Sequence, residues 1–302
     1  MVKRQKVTTY DWKITLSTPQ TFKTLLAIVE PTVTNVPFKV CMDLSEGPGA
    51  PFNGLRLDAM NSSNVCMVKA AYECDVAVST VLMNEMFCVD TAMLRNLLRD
   101  VQASHEVELI RHTGSDSVTI RTHDQNDPTN WSISTIQLMD VEFANFNLDM
   151  FDITFKYVVE IELERLKHVC RMVNSIRSGT IEFRVYEPEV SDGHHYFSVM
   201  ANGEGATIQK VHRSSAVMHD GLEHIMVVND SQVSVDAVDV DDLTEKYKGL
   251  FSIAYMNGVL KSMDRQTIQL YLGQDRPLVM HYGLGNDLSY IKIILAARES
   301  DQ

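Results

Sequence analysis

FKYVVEIELERLKHVCRMVNSIRSG, residues 155–179, is the stretch on which the reading of the chain depends. Phe155 to Ile161 is an apolar, β-branched run of strand length. From Glu162 to Ile176 the period changes: Leu163, Leu166, Cys170, Val173 and Ile176 recur every three or four residues, which predicts a helix with one apolar face, ended by Ser178-Gly179. The basic residues Arg165, Lys167, Arg171 and Arg177 stay off that face. A strand therefore feeds an amphipathic helix that can pack on a sheet and present charge outward.

The same order recurs on either side. Towards the N-terminus, Thr18 to Val29 reads as a helix, with Ser17 or Thr18 as cap, Pro19 in the first turn, apolar Phe22, Leu25, Leu26 and Val29, and a stop at Glu30-Pro31. Strands follow between Pro37 and Val89, among them Phe38 to Leu44, Gly54 to Ala59, Val65 to Ala71 and Glu73 to Val78, interrupted by a loop at Glu46 to Pro51. Asp90 caps a second helix, Thr91 to Val101, and strands return at Glu106 to Ile110, Ser117 to Thr122 and Trp131 to Leu138. Beyond residue 179, strands are expected at Ile181 to Tyr186, Tyr196 to Met200, Thr207 to Val211 and Glu223 to Val228, with Pro188 to His195 a polar loop. Tyr255 to Met263 is a fourth helix, before strands at Thr267 to Leu272, Leu278 to Tyr282 and Ser289 to Leu295. Each half is strand, helix, strands, helix, strands: an α+β fold of two similar domains, 1–138 and 154–302. The acidic stretch 139–153 joins them as a connector, and its Phe143, Phe146, Leu148 and Phe151 are more than a spacer needs.

A length of 302 residues suits two domains better than one core, and 45% hydrophobic residues exclude a disordered chain. Five cysteines, mostly within apolar runs, read as buried thiols of a reducing compartment. The basic N-terminus has no apolar stretch behind it and no window approaches a membrane span, so an intracellular, non-secreted protein is expected.

The net charge of −13 argues against nucleic-acid binding by the whole surface. The helical segments run the other way. Residues 18–30, 91–99, 162–177 and 255–265 carry zero, +2, +2 and +1, together +5, which leaves −18 elsewhere. Lys and Arg are good helix formers on any solvated face, so composition alone is also satisfied by an ordinary wet surface. Repetition on matching elements of both halves weakens that reading without defeating it, and the helices are the one place where a polyanion could be met.

The chain also resembles the DNA sliding clamps of eukaryotes and archaea, the proliferating cell nuclear antigen family. The resemblance rests on Gly54-Leu-Arg-Leu-Asp-Ala-Met-Asn-Ser-Ser-Asn-Val65, Leu138-Met-Asp140, His168-Val-Cys-Arg171, Tyr255-Met-Asn-Gly-Val-Leu-Lys261, Asp275-Arg-Pro-Leu-Val-Met280 and Ile293-Ile-Leu-Ala296, in this order over nearly the whole chain. Extra length, divergence and many methionines look more like a clamp of a large DNA virus, which would act in the host nucleus or at a cytoplasmic viral replication site. The resemblance implies a DNA-clamp fold: antiparallel sheets outside, two helices from each domain lining a central hole, and three chains closing a ring around duplex DNA. The implied work is processivity for a replicative or repair DNA polymerase and recruitment of partners, among them ligase or nuclease, through a short motif. The DNA-facing residues would be Lys23, Arg95, Arg99, Lys167, His168, Arg171, Lys261 and Arg265. The groove for a partner peptide would be formed by Met60, Val65, Phe146, Leu148, Pro277 and Ile294. Ile294 stands where the family commonly has tyrosine, Ala297 where it has proline, and Phe146 is bulkier than the usual aliphatic, which implies a pocket of different shape.

No catalytic constellation is legible, so no enzyme is expected. His194-His195 with Asp192 lacks the further ligands of a metal site, the aspartates 236, 239, 241 and 242 lack EF-hand spacing, and Asn202-Gly-Glu-Gly205 lacks a phosphate-loop ending. No metal, cofactor or membrane partner is expected. The alternative to a closed ring is a monomeric or dimeric processivity factor of the same fold that holds DNA by charge. Subunit contacts need edge strands, with Ser117 to Thr122 and the Ile181 to Tyr186 region as candidates.

Overall fold

A computed structural model describes residues 10–42, 52–78, 85–140, 155–188, 194–219, 221–227 and 243–298. Its elements repeat in order. The first half runs β1 (Tyr10–Leu16), α1 (Pro19–Val29), β2 (Asn35–Met42), β3 (Asn53–Met60), β4 (Cys66–Glu73), β5 (Asp75–Val78), β6 (Met86–Asp90), α2 (Thr91–Leu97), β7 (His105–His112), β8 (Ser117–Asp124) and β9 (Asp127–Gln137). The second runs β10 (Tyr157–Glu162), α3 (Leu163–Ser175), β11 (Thr180–Pro188), β12 (His194–Asn202), β13 (Thr207–His219), β14 (Leu222–Val227), β15 (Leu243–Ser252), α4 (Ile253–Leu260), β16 (Thr267–Leu272), β17 (Leu278–Gly283) and β18 (Tyr290–Leu295). Strand, helix, five strands, helix, three strands occurs twice.

Two compact units result: Met1–Ala59, Lys69–Phe146 and Leu284–Ile291 form one, and Met60–Val68, Asn147–Gly283 and Lys292–Gln302 the other. In the first, β1 alternates cleanly, with Trp12, Ile14 and Leu16 inward, and lies between β5 and β7 in the sheet β5-β1-β7-β8-β9. Beside it β2 pairs with β3 and β6. The helices α1 and α2 pack against each other, α1 burying Phe22, Leu25, Leu26, Ile28 and Val29. At about 25 cal/mol per Å² of apolar surface, each such side chain contributes about 1.5–3 kcal/mol. Thr18 occupies the N-cap position of α1, but its hydroxyl bonds Tyr72 Oη at 3.0 Å instead of capping the helix. Asp90 caps α2 as expected, accepting from Met93 N at 2.6 Å.

In the second unit the order is β15-β11-β12-β13-β14-β10-β16-β17, and α3 packs on α4 and on the strands beneath. One pairing departs from the antiparallel sheets expected: β10 and β14 are parallel, Tyr157 opposite Glu223 through Ile161 opposite Val227. The counterpart, β1 with β5, is antiparallel. The cause is local. Between β4 and β5 stands only Cys74, whereas β13 reverses into β14 through a hairpin at which Gly221 takes φ 77°, so β14 runs against β13.

Three other readings change. Three strands receive no boundaries from the sequence: β1, β6, and β15, whose Thr244, Glu245, Lys246 and Lys248 are exposed. His194 and His195 lie in strand β12, not in a loop. Both β8 and β11 are paired on each side, so neither is an open edge; among the described residues the free edges include β9 and β15. The loop 46–51, Phe143, Phe146, Leu148, Phe151, Asp192 and the aspartates 236–242 lie outside the described residues. All five cysteines are buried and outside any disulfide.

Two histidines make the fold acid-sensitive. Burial first, then Arg165 and Lys210, push His212 down to about 4; burial, then Lys292, does the same for His281. An unfolded histidine titrates near 6.5, so below that pH the unfolded chain takes up protons the fold refuses. The contribution of these two histidines to stability is therefore complete above pH ~6.5 and is lost as pH falls towards 4. In urea titrations across this range, His212→Gln is expected to flatten the decline; an unchanged slope would contradict the assignment.

Candidate nucleic-acid interface and partner groove

The second unit's helices sort their residues by face. In α3, Leu163, Leu166, Val169, Cys170 and Val173 are buried while Glu164, His168, Arg171 and Asn174 are exposed. In α4, Ile253, Met256, Val259 and Leu260 are buried, and Lys261, its C-cap, is exposed, as is Arg265 just beyond. Arg171, Lys261 and Arg265 make no ion pair among the described residues, although Arg171 assists Lys167 in holding the Glu164 carboxyl below its ordinary value. The segment bearing Arg265 is fixed from below. Buried Tyr282 accepts at Oη from the backbone N–H of Asp264 and Arg265, each at 3.0 Å, and donates to Asp264 Oδ1 at 2.7 Å. Burial pushes that phenol up to about 12, so it remains a hydroxyl.

Lys167 behaves differently. Its ammonium donates to Met263 O at 2.8 Å and pairs with Glu164 at 2.9 Å, tying α3 to the end of α4. In the first unit the expected cations are likewise engaged. Lys23 Nζ donates to Arg99 O and Val101 O at 2.8 Å each, satisfying carbonyls past the end of α2, where Gln20 also reaches Val101 O. The helix is thus shorter than its apolar spacing predicts. Arg95 pairs with Glu30, and Arg99 bonds Asn96 Oδ1 at 2.6 Å. Of the eight basic residues singled out, those with charge uncompensated by an acid and a solvated side chain are therefore mainly Arg171, Lys261 and Arg265, joined by Arg99.

The apolar set centres on the turn between β3 and β4. Asn61, 8% exposed, accepts at Oδ1 from Val65 N at 2.9 Å and Cys66 N at 3.0 Å, while its Nδ2 donates to Ser63 Oγ and Tyr255 Oη, each at 2.8 Å. Asn64 takes φ 57°, which asparagine tolerates better than most residues. Val65 O then accepts from Ala296 N at 2.9 Å, fastening the turn to the end of β18. Met60, Val65, Pro277 and Ile294 are each half-buried, and Ile294 alternates with the buried Ile293 and Leu295. The structure links Met60 and Val65 to the strand bearing Ile294, and places Pro277 just before β17; Phe146 and Leu148 lie outside the described residues. Asn61 and Tyr255, which hold the turn, were not singled out from the sequence, since their partnership spans 194 positions. Asn61→Ala leaves two backbone amides without their acceptor and is expected to cost about 1–3 kcal/mol, read as a lower urea midpoint. Loss below ~0.5 kcal/mol would contradict this role.

Among solved structures, the chain is similar to the crystal structure of PCNA from Thermococcus kodakaraensis: TM-score 0.70, 17% sequence identity, covering 95% of this chain and all of that one. No family model matches the sequence, and no curated protein does. The likeness establishes a PCNA-like fold.

Proposed function

We propose that this protein is a DNA sliding clamp: three chains close a ring around duplex DNA, and the ring serves as processivity factor and recruitment platform for a DNA polymerase. The observation that carries this reading is the two-faced build of α3 and α4, apolar residues against the sheet and Arg171, Lys261 and Arg265 solvated, in an otherwise acidic chain. The duplicated element order and the likeness to a PCNA structure support it.

A sliding contact must be weak and blind to sequence. Arginine and lysine ends meeting phosphates satisfy both conditions, and each neutralised phosphate adds to the salt dependence of contact. Residual topology, not affinity, then retains the protein. For closure a chain needs an unpaired strand edge, and β9 offers one: Trp131 is 49% and Ile133 65% exposed there, Trp131 stacking on His123 at 4.6 Å with Arg121 over its ring. This replaces the edges first inferred from the sequence. A groove of Met60, Val65, Pro277 and Ile294 with Phe146 and Leu148, as the resemblance implies, would take an apolar peptide anchor from the polymerase, ligase or nuclease. No step calls for catalysis.

Threading separates a ring from an electrostatic holder. Protein is loaded on linear duplex, both ends are blocked with streptavidin, and salt is raised from ~50 to ~500 mM, which dissolves backbone contacts. Retention on blocked duplex with loss from open duplex is expected. Equal loss from both would favour the monomeric or dimeric holder.

A further inference from the structure

Strands β11, β12 and β14 of the second unit bring together three side chains that neither the helix face nor the groove uses. Glu187, His195 and Glu223 present ligand atoms that all lie within 4.8 Å of one another. His195 Nε2 stands 2.9 Å from Glu223 Oε2 and 3.5 Å from Glu187 Oε1. In a tetrahedral site with bonds of about 2.0–2.1 Å, donors stand about 3.3 Å apart, so these separations bracket what an ion would require.

Two carboxylates this close need positive charge, and the chain supplies it from two lysines at the rim. Lys156 Nζ is 3.9 Å from Glu187 Oε1 and 3.8 Å from Glu223 Oε1, beyond hydrogen-bond distance from either, while its own bond goes to Tyr157 Oη at 2.7 Å. Lys246 reaches Glu187 Oε2 at 3.3 Å. The Lys156 side chain is 56% exposed, its ammonium 4.7 Å from the centre of the Tyr157 ring. Tyr157, its ring buried, forms a dry wall and donates from Oη to Glu187 Oε1 at 3.4 Å. Three strands fix the donors before any ligand arrives, so little ordering cost remains.

We propose that Glu187, His195 and Glu223 form a binding site for a divalent transition-metal ion of the zinc class, with a fourth position open to water. One imidazole and two carboxylates are the donor types such ions take, and three protein ligands with an open position is a recurrent zinc arrangement. The ion displaces Lys156 and staples β14 to β11 and β12. This assignment reverses the expectation that His195 has no fellow ligands: they stand 8 residues before and 28 after it, on other strands. It is independent of the ring.

The test is isothermal titration of ZnCl₂ into the untagged full chain, previously stripped with chelator, with circular dichroism as a check on folding. One saturable equivalent per chain is expected, weakened at least tenfold by His195→Ala and by Glu187→Gln with Glu223→Gln. Lys156→Met, which removes the competing ammonium, is expected to tighten binding several-fold. Cobalt(II) bound at the same site should give a visible d–d absorption that zinc displaces. No saturable binding, or equal binding by the parent and the His195 variant, would overturn the site; if the double glutamine variant does not fold, the His195 and Lys156 variants decide.

Discussion

Ile133→Asp is expected to convert the proposed trimer into single folded chains. Ile133 is 65% exposed on β9, an edge strand, so the substitution touches no core and should change the stability of the chain by no more than ~0.5 kcal/mol. At an interface between copies the same carboxylate would lose its water without gaining a partner. The cost of leaving one charge buried and unpaired is about 3–5 kcal/mol, more than a hundredfold in each association constant. In a closed ring the penalty recurs at every junction. Sedimentation velocity at micromolar concentration should show the assembly replaced by one slow species with native circular dichroism. An assembly of unchanged mass would exclude β9 as the docking edge.

The second large effect is expected from Arg171→Glu combined with Lys261→Glu. Both side chains are exposed and make no ion pair among the described residues, so folding and assembly should be untouched. Each reversal replaces a phosphate contact by a repulsion. At about 1 kcal/mol or more per site, long-product synthesis in primer extension should fall roughly tenfold to a hundredfold at physiological salt and recover partly at lower salt. Lys167→Glu should instead cost stability, because Lys167 holds Met263 O and Glu164 rather than solvent. Undiminished synthesis by the double variant would remove α3 and α4 from the DNA.

How far the sequence discloses all this depends on the range of the interactions involved. Local periodicity placed all four helices and most strands, because each buries one face at a regular spacing; Leu163, Leu166, Cys170 and Val173 are buried as the pattern requires. Where a strand breaks the pattern it escapes notice. In β15 the inward positions are Tyr247, Gly249 and Phe251, and the middle one is glycine because a Cβ there would come 2.2 Å from Tyr247 Oη and 2.8 Å from the Phe251 ring. Four charged or polar neighbours complete the disguise. The N-cap position of α1 is legible, since Thr18 fills it, but the missing capping bond is not: the partner that claims its hydroxyl is Tyr72, 54 residues away.

The site shows the same division. Which helix residues face solvent was legible, but which cations are already spent was not. Lys23 is consumed by carbonyls 76 and 78 residues away, and Arg95 by Glu30, 65 residues back. Charge counted along the chain therefore overstates what the helices have left for a polyanion: in α3 Arg165 and Lys167 are spent on Glu162 and Glu164, whereas Arg171, and Lys261 and Arg265 at the end of α4, keep theirs. The turn at Asn61 is legible as a turn, yet its anchor on Tyr255 is not.

Multi-angle light scattering of the full chain at micromolar concentration reaches the core of the account in one step. A ring requires a discrete particle with the mass of three chains, stable on dilution and on raising salt. A mass of one or two chains under those conditions would contradict closure and leave a clamp-fold protein that holds DNA by charge alone.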